Sequence, residues 1–229
     1  MIKDVILNEE GVKYIPYSNL LTTDQAKLLI ENSNTVKYSK KDVIFKQDTR
    51  TSHIMVIKNG IVKIFKEDKN DKSIILRVAT RNHFIGLMSV YGSNIHQYSV
   101  SAMEDTEICF IDINIFNQVI ASNGNYALQI IRLISQDGLF IFKRLMSQTH
   151  KQLPGRIADV ILYFSEDIYA SDEFEFPFTR KELAQLAGTT KESFIRTLSE
   201  FKHDKIIDLE GSKVKILSLD IIKTLRELG

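Results

Sequence analysis

Polar side chains at residues 191–196 have the donor and acceptor types that read the edges of DNA bases. An arginine such as Arg196 can donate two hydrogen bonds to O6 and N7 of guanine, and Glu192 can accept one from N4 of cytosine. On a helix the two residues lie one turn apart, so Glu192 can also orient Arg196. The alternative is a structural ion pair on a solvated helix face. The candidate base contacts are Lys191, Glu192, Ser193 and Arg196.

The segment from Phe178 to Asp204, which carries these residues, predicts two short helices joined by a tight turn. Thr179 is placed to cap the first helix, and Glu182 three residues later completes a capping box. Gly188 suits the turn, because a residue without a Cβ readily adopts the left-handed conformation at a helix end. The small residues Ala184 and Gly188 let the helices cross closely. The pattern is typical of a helix-turn-helix, whose second helix can enter a major groove.

The second helix is expected to have one apolar side and one polar side. Thr189 or Thr190 can cap it, and Thr189 with Glu192 repeats the capping-box spacing. Its predicted inner side comprises Phe194, Ile195, Leu198 and Phe201. The residues predicted to face outward or along its leading end are Lys191, Glu192, Ser193, Arg196 and Thr197.

Residues 205–217 predict a β-hairpin directly behind this helix. Two short apolar runs flank turn residues at 210–213, which is the arrangement of a wing. Its tip would carry Ser212 and Lys213 toward a phosphate backbone. The alternative is a plain helical hairpin followed by a β-hairpin used for packing. The candidate contacts to the DNA backbone, which would set the register, are Thr179, Arg180, Thr190 and Lys213.

This segment and its hairpin resemble the DNA-binding domain of the Crp/Fnr family of bacterial transcription regulators. The matching stretch is FTRKELAQLAGTTKESFIRTLSEF, and PGRIA at residues 154–158 resembles the start of the same domain. In that family the positions of Glu192 and Arg196 hold the base-reading glutamate and arginine. The net charge of the chain is only +1, whereas DNA binding usually shows a basic footprint. The DNA hypothesis therefore depends on placement, with the neighbouring acids facing away from the duplex.

Length and composition fit a globular protein with two small domains. The chain has 229 residues, of which 44% are hydrophobic and 26% charged. Cys109 is the single cysteine, so one chain can build neither a disulfide framework nor a thiolate cluster. The first residues carry acids and do not resemble a signal peptide, and no apolar run reaches the roughly 18 residues of a membrane span. We therefore expect a cytoplasmic protein with no membrane contact.

The N-terminal part predicts a helix followed by a compact antiparallel roll or barrel. Residues 16–32 have helical apolar spacing, with a start at Thr23. Strands are expected at residues 43–45, 54–57, 61–65, 74–78, 99–102 and 106–111. Residues 58–60 predict a hairpin turn between the second and third strands, and residues 68–72 a polar turn between the third and fourth.

Two stretches of the predicted roll also resemble the Crp/Fnr family. IMVIKNGIVKIF resembles a strand–turn–strand before the effector pocket, and NHFIGLMSVYG resembles the loop that cradles a cyclic nucleotide. In cyclic-AMP binders a glutamate follows the glycine and an arginine–serine pair holds the phosphate. Here Leu87 follows Gly86, and residues 94–99 read NIHQYS. Because a buried phosphate needs a paired cation or several N–H donors, we expect an effector other than cyclic AMP, or none. The candidate pocket residues are Phe84, Gly86, Leu87, Met88, His96, Gln97 and Tyr98.

Residues 125–150 predict a long helix that is apolar around most of its circumference. Such a helix must be covered on two sides, by the roll and, as in the Crp/Fnr family, by the same helix of a second chain. A core helix within a monomer is the alternative. The candidate dimer contacts are Leu128, Ile131, Ile134, Phe142 and Leu145. Residues 152–155, QLPG, should break the helix and form the hinge, before a helix that begins at residue 157.

No cofactor or catalytic set is evident in the sequence. The five histidines do not pair with another ligand type at zinc-like spacing, and no nucleophile–base group appears, so an enzyme is not expected. Some family members sense gases through haem, for which His96 or His150 could provide an axial ligand. Haem therefore stays open as a cofactor.

The sequence as a whole predicts an α+β fold: an N-terminal antiparallel β-roll, a long dimerisation helix and a C-terminal winged helix-turn-helix. The expected domains are residues 1–123, 124–152 and 153–229. The function expected from the resemblance is transcription regulation by a homodimer that binds a palindrome in double-stranded DNA and acts with RNA polymerase. Two rivals are a cyclic-nucleotide-responsive regulator with a non-standard pocket and a haem or redox sensor.

Overall fold

The chain divides into two compact units, and each is described here by itself. An N-terminal unit comprises Met1–Glu67 and Arg77–Leu139, and a C-terminal unit comprises Asp68–Leu76 and Phe140–Gly229. The structure, a computed structural model, describes residues 12–69 and 73–228. The first eleven residues, the end of the polar turn expected at 68–72, and Gly229 lie outside the described residues.

Two four-stranded sheets build the roll. The strands of the first are β1 (Ser33–Tyr38), β3 (His53–Asn59), β6 (Phe84–Ile85) and β8 (Thr106–Asp112). They lie antiparallel in the order β1-β8-β3-β6. The strands of the second are β2 (Val43–Phe45), β4 (Val62–Glu67), β5 (Ser73–Ala79) and β7 (Ser99–Ala102), in the order β2-β7-β4-β5. All six predicted strands are therefore present, and β1 and β6 are two that the sequence did not predict.

The hairpin predicted at residues 58–60 is wrong. This turn joins β3 to β4, which belong to different sheets, so the chain crosses from one sheet to the other at Gly60. Gly60 has φ +95°, and a Cβ there would clash with Thr106 Oγ1. Glycine is thus required both by the backbone conformation and by the close approach of the neighbouring strand. A period of two residues identifies a strand but does not determine its partner.

Short helices cover the first sheet and complete the apolar core of the N-terminal unit. They are a 3₁₀ turn (Ser18–Leu20), α1 (Thr23–Glu31), α2 (Leu87–Gly92) and α3 (Ile113–Ser122). Helix α1 begins at Thr23, as the sequence predicts, and its cap is Thr22, in a capping box with Gln25. Fully buried members of the core include Leu29, Ile54, Cys109, Phe116 and Tyr126. Cys109 is thus a core thiol.

Helix α4 (Gly124–His150) is the predicted long helix, and it continues from one compact unit into the other. Only Tyr126 and Ile130 are buried among its described side chains. Large apolar side chains are exposed along the rest of its length: Leu128, Ile131, Leu139, Ile141, Phe142, Leu145 and Met146. This is the apolar circumference that the sequence indicated.

The C-terminal unit is a bundle of short helices with a three-stranded sheet. Its helices are α5 (Leu153–Leu162), a π-helical turn (Tyr163–Tyr169), α6 (Arg180–Leu186), α7 (Lys191–His203) and α8 (Leu219–Leu228). Its strands are β9 (Glu173–Glu175), β10 (Ile207–Glu210) and β11 (Lys213–Ile216), in the order β10-β11-β9. Phe164 is fully buried at the centre, with rings of Phe174, Phe176 and Phe178 around it.

The break after α4 is shorter than the sequence predicted. It occupies Lys151 and Gln152, and α5 begins at Leu153 rather than at residue 157. Pro154 therefore lies in the first turn of α5, where its missing N–H would have no helical partner in any case. Among the described residues, no helix has both the length and the apolar character needed to cross a membrane.

Candidate nucleic-acid interface

The first helix of the predicted helix-turn-helix is held by the caps that its sequence indicates. Thr179 Oγ1 accepts a hydrogen bond from Glu182 N at 3.3 Å, and Glu182 Oε2 accepts one from Thr179 N at 3.0 Å. Gly188 adopts φ +63° at the turn, and Ala184 is buried. Helices α6 and α7 are therefore joined by a short turn at Gly188, and the start of α6 is fixed by its capping box.

Helix α7 is capped by Thr190, whose Oγ1 accepts from Ser193 N at 3.2 Å. Thr190 is thus the residue that caps α7, and the capping box expected from Thr189 and Glu192 is not formed. Two side chains also differ from the predicted pattern: Ile195 is 40% exposed, and Thr197, expected outside, is only 3% exposed. Positions three, four and seven residues after Phe194 form the inner face, so Thr197 replaces Ile195 between Phe194 and the buried pair Leu198 and Phe201.

The candidate base contacts lie on the outer side of α7. Lys191, Glu192 and Arg196 are exposed, and Ser193 is half-buried. Arg196 Nε lies 3.9 Å from Glu200 Oε1. Within the described residues, Arg196 therefore pairs with a carboxylate one turn later on α7 and not with Glu192. Both side chains of this pair are exposed, and an exposed pair of this kind is worth little and can be exchanged for a base contact.

The wing is formed by β10 and β11, with Glu210 opposite Lys213 at its tip. Arg180 Nη2 donates to the carbonyl oxygen of Gly211, which ties the start of α6 to the tip of the wing. Ser212 Oγ donates to Glu175 Oε1 on the third strand, while Lys213 is exposed. Burial lowers the pKa of Arg180. Of the four candidate backbone contacts, Thr179, Arg180 and Thr190 thus already hold local structure, and Lys213 projects from the surface.

Two acidic residues near the wing are paired with lysines. Lys215 Nζ lies 3.2 Å from Glu173 Oε2, and Lys202 Nζ lies 3.8 Å from Asp208 Oδ1. Lys202 Nζ also donates to the carbonyl oxygen of Leu209 at 2.6 Å. These pairs reduce the negative charge around the wing.

Two arginines outside the predicted interface hold the turn between α6 and α7. Arg144 Nη2, from α4, donates to the carbonyl oxygen of Leu186 at 2.6 Å, and Arg156 Nη1, from α5, donates to that of Gly188 at 2.7 Å. These carbonyls lie at the C-terminal end of α6, where helical partners are missing. Sequence reasoning missed both residues. Their one signal is that positively charged side chains suit a helix C-terminus, but nothing local indicates which helix they serve.

The predicted effector region is packed with aromatic side chains. His96 is 3% exposed, and its ring stacks on Phe45 with centroids 3.8 Å apart. Gly86, at φ +93°, donates its N–H to Tyr98 Oη at 3.0 Å, and a Cβ on it would lie 3.6 Å from His96 Cε1. Burial lowers the pKa of His96 and raises the pKa of Tyr98 to about 12. Phe84 and Leu87 are buried beside them, whereas Met88 and Gln97 are exposed.

The two histidines considered as haem ligands lie in different places. His96 is buried under Phe45, and His150 is exposed at the end of α4. In the part of the chain that the structure describes, no group of three or more His, Cys, Asp or Glu side chains is placed to hold a metal ion.

Comparison with known proteins matches both compact parts of the chain to families. Residues 35–123 match the cyclic nucleotide-binding domain, and residues 155–225 match the Crp-like helix-turn-helix domain. Together the two matches cover more than half of the chain. The cyclic nucleotide-binding match describes the family of the roll and does not identify its ligand.

Relatives and solved structures of the same type span most of the chain. Electron transport regulator A of Shewanella oneidensis is 23% identical over 212 residues, 90% of this chain and 84% of the relative. FixK2 of Bradyrhizobium japonicum has a TM-score of 0.78 at 15% identity, over 84% of this chain and 96% of that one. A regulator of the Crp/Fnr family from Eubacterium rectale has a TM-score of 0.75 at 20% identity, over 94% and 99%. These likenesses confirm the predicted fold class, and with the two domain matches they show that the chain belongs to the Crp/Fnr family and is a DNA-binding transcription regulator.

Proposed function

We propose that this regulator is a homodimer that reads a palindromic DNA site with α7 and contacts the flanking phosphates with its wing. The observation that carries the proposal is the presentation of Lys191, Glu192 and Arg196 on the exposed side of a helix whose other side is fully buried. A helix held in this way places its first two turns rigidly, as base recognition in a major groove requires.

The dimer is supported by the spacing of exposed apolar residues on α4. Leu128 and Phe142 are two heptads apart, as are Ile131 and Leu145, and all four side chains are exposed. The four residues occupy a and d positions of a heptad repeat, and Ser135 and Gly138 hold the a and d positions between them. Ile134, the fifth candidate contact, instead packs partly buried against the core of the N-terminal unit. The seam of the proposed dimer is therefore formed by Leu128, Ile131, Phe142 and Leu145.

We further propose that the effector, if the roll binds one, is not cyclic AMP. The stretch at residues 94–99 lacks the arginine that would pair with a phosphate, and the stacked rings of Phe45 and His96 occupy the region beside Gly86. A phosphate buried there without a cation would lose its hydration with little compensation. Partnership with RNA polymerase is proposed from the family alone.

Selection of sites from random double-stranded DNA tests this function. We expect enrichment of an inverted repeat whose half-sites lie about one helical turn, roughly 10–10.5 bp, apart. A variant with both Lys191→Ala and Arg196→Ala, which leaves the buried face of α7 intact, should enrich no such repeat. Enrichment of an unsymmetrical site by the wild-type protein would contradict the dimer, and no enrichment at all would contradict the assigned role of α7.

A further inference from the structure

A cavity of about 600 Å³ lies within the C-terminal unit. Its walls come from the second half of α4, from α5 and the π-helical turn, from the end of α6 and from Arg226 on α8. A volume of this size is that of a pocket for a small organic molecule. Nothing in the DNA-binding role of the protein uses it.

Positive charge exceeds negative charge around the cavity. The cationic side chains that line it are Lys143, Arg144, Lys151, Arg156 and Arg226. The carboxylates are Asp159, Glu166 and Asp167, so the formal balance of the lining is positive by two charges. Asp159 is occupied by Lys151 at 2.9 Å and by the Ser147 hydroxyl at 2.5 Å. An anion of charge −2 would balance the lining.

The guanidinium of Arg156 is satisfied only in part by the described residues. Its Nη1 donates to Gly188, but its Nε is buried with no hydrogen-bond partner among the described residues. An orphaned guanidinium N–H is costly, because burial removes its water without replacing the hydrogen bond. Lys143, which also lines the cavity, is exposed and can donate to an anionic group.

Another part of the lining is apolar. Phe140 and Tyr163 pack with ring centroids 5.5 Å apart, and buried Val160, Leu186 and Ala187 extend the same surface. Pockets that combine a large apolar wall with a few convergent polar groups are typical of small-molecule sites. The body of the ligand should therefore be apolar and the head anionic.

Part of the cavity wall lies on the side of α4 away from the proposed seam. Arg144 and Ser147, which line the cavity, are three residues apart on the face away from Phe142 and Leu145. A partner helix on the seam would cover Phe142 and Leu145 and would leave this opposite face free.

We propose that this cavity binds a small organic dianion with an apolar body, with its head toward Arg156 and Lys143 and its body against Phe140 and Tyr163. Because Arg144 and Arg156 also hold the carbonyls of Leu186 and Gly188, the ligand would contact the same side chains that fix the helix-turn-helix. An effect of the ligand on DNA affinity would rest on the proposed function, whereas binding itself does not.

Titration calorimetry of the full chain with 1-naphthyl phosphate, without DNA, tests the site. We expect one site per chain, and binding at least about tenfold weaker for 1-naphthol and for inorganic phosphate, which carry the body and the head alone. Lys143→Glu should weaken the binding of 1-naphthyl phosphate by about tenfold or more, because it reverses a charge beside the phosphate group. Lys66→Glu, an equal charge reversal on exposed β4 outside the cavity, should change it less than about twofold.

A second variant addresses the apolar wall. Phe140→Ala should weaken the binding of 1-naphthyl phosphate and leave the weak binding of inorganic phosphate unchanged. The proposal is overturned if the wild-type protein binds no 1-naphthyl phosphate at millimolar concentration, or if Lys143→Glu and Lys66→Glu bind it equally. Since neither readout involves DNA, failure here is distinct from failure of the proposed function.

Discussion

Arg144 Nη2 donates to the carbonyl oxygen of Leu186 at 2.6 Å, which fastens the last turn of α6 to helix α4. The other terminal nitrogen of the same guanidinium donates to the carbonyl oxygens of Ile75 and Leu76 at 3.1 and 3.2 Å. One side chain thus satisfies three carbonyls from two distant segments. Burial lowers the pKa of Arg144, but an arginine keeps its charge under all ordinary conditions.

Arg144→Gln should lower the free energy of unfolding by about 1–3 kcal/mol, because three carbonyl groups lose a charged donor. Urea denaturation measures the change, and Lys143→Gln, on the exposed neighbour, should shift stability by less than about 0.5 kcal/mol. Equal denaturation midpoints for the two variants would show that the Arg144 contacts contribute no net stability.

Arg196→Ala should weaken binding to the selected DNA site by about 1–3 kcal/mol and relax preference at one base pair of each half-site. Competition binding against sites with single base-pair changes measures both effects. Lys213→Ala, on the wing, should weaken binding to all DNA sequences equally, because a phosphate contact does not distinguish one base from another. Equal loss on the selected site and on random DNA for Arg196→Ala would assign Arg196 to the backbone instead.

Phe142→Glu should convert the dimer to monomer, because it places a charge within the proposed seam, where Phe142 is 66% exposed in a single chain. Sedimentation velocity measures the change. Gln136→Glu introduces the same charge at an exposed position of α4 away from Leu128, Ile131, Phe142 and Leu145, and it should leave the dimer intact. A Phe142→Glu protein that stays dimeric would place the interface elsewhere.

His83 should make the protein less stable as pH falls below about 6.5. Its ring is 19% exposed, 3.9 Å from Asp137, while Arg77 already pairs with Asp137 at 2.5 Å. Burial, with a smaller contribution from Arg77, lowers the pKa of His83 to about 3. As pH falls, His83 is therefore protonated near pH 6.5 in the unfolded chain, but only near pH 3 in the folded chain. The resulting stability is fully present above pH 6.5 and falls by up to about 1.4 kcal/mol per pH unit between these values.

Replacing the ring tests this dependence. Urea denaturation from pH 7.5 to pH 5 should give a flatter stability profile for His83→Gln than for the wild-type protein. His203→Gln, at an exposed position, is the matched control for the loss of one imidazole. Parallel profiles for the wild-type and His83→Gln proteins would show that His83 titrates normally.

Cyclic AMP should give no binding heat with the full chain at concentrations up to about 1 mM, since a buried phosphate would have no paired cation. Calorimetry of the natively purified protein measures this directly. Binding in the micromolar range would instead favour the rival reading, a cyclic-nucleotide-responsive regulator with a non-standard pocket.

Local signals predicted the helix-turn-helix well because its determinants are close in sequence. Thr179 and Glu182 lie within one helical turn of each other, Gly188 follows the end of the same short helix, and the wing hairpin closes on its own turn residues. The sequence also contains the signal that Thr197, and not Ile195, lies on the inner face of α7. Strict three- and four-residue spacing from Phe194 includes Thr197 and excludes Ile195.

The sequence by itself determined the types of most elements, the capping box of α6, the exposed positions of Lys191, Glu192 and Arg196 on α7, and the lack of an arginine at residues 94–99. Only the tertiary structure decided that β3 and β4 lie in different sheets, that His96 stacks on Phe45, and that Arg144 and Arg156 hold the end of α6. The physical reason is the distance along the sequence over which each interaction acts. A cap or a periodic face depends on neighbours within a turn, whereas a strand partner or a donor for a helix-end carbonyl is chosen by packing between segments tens of residues apart.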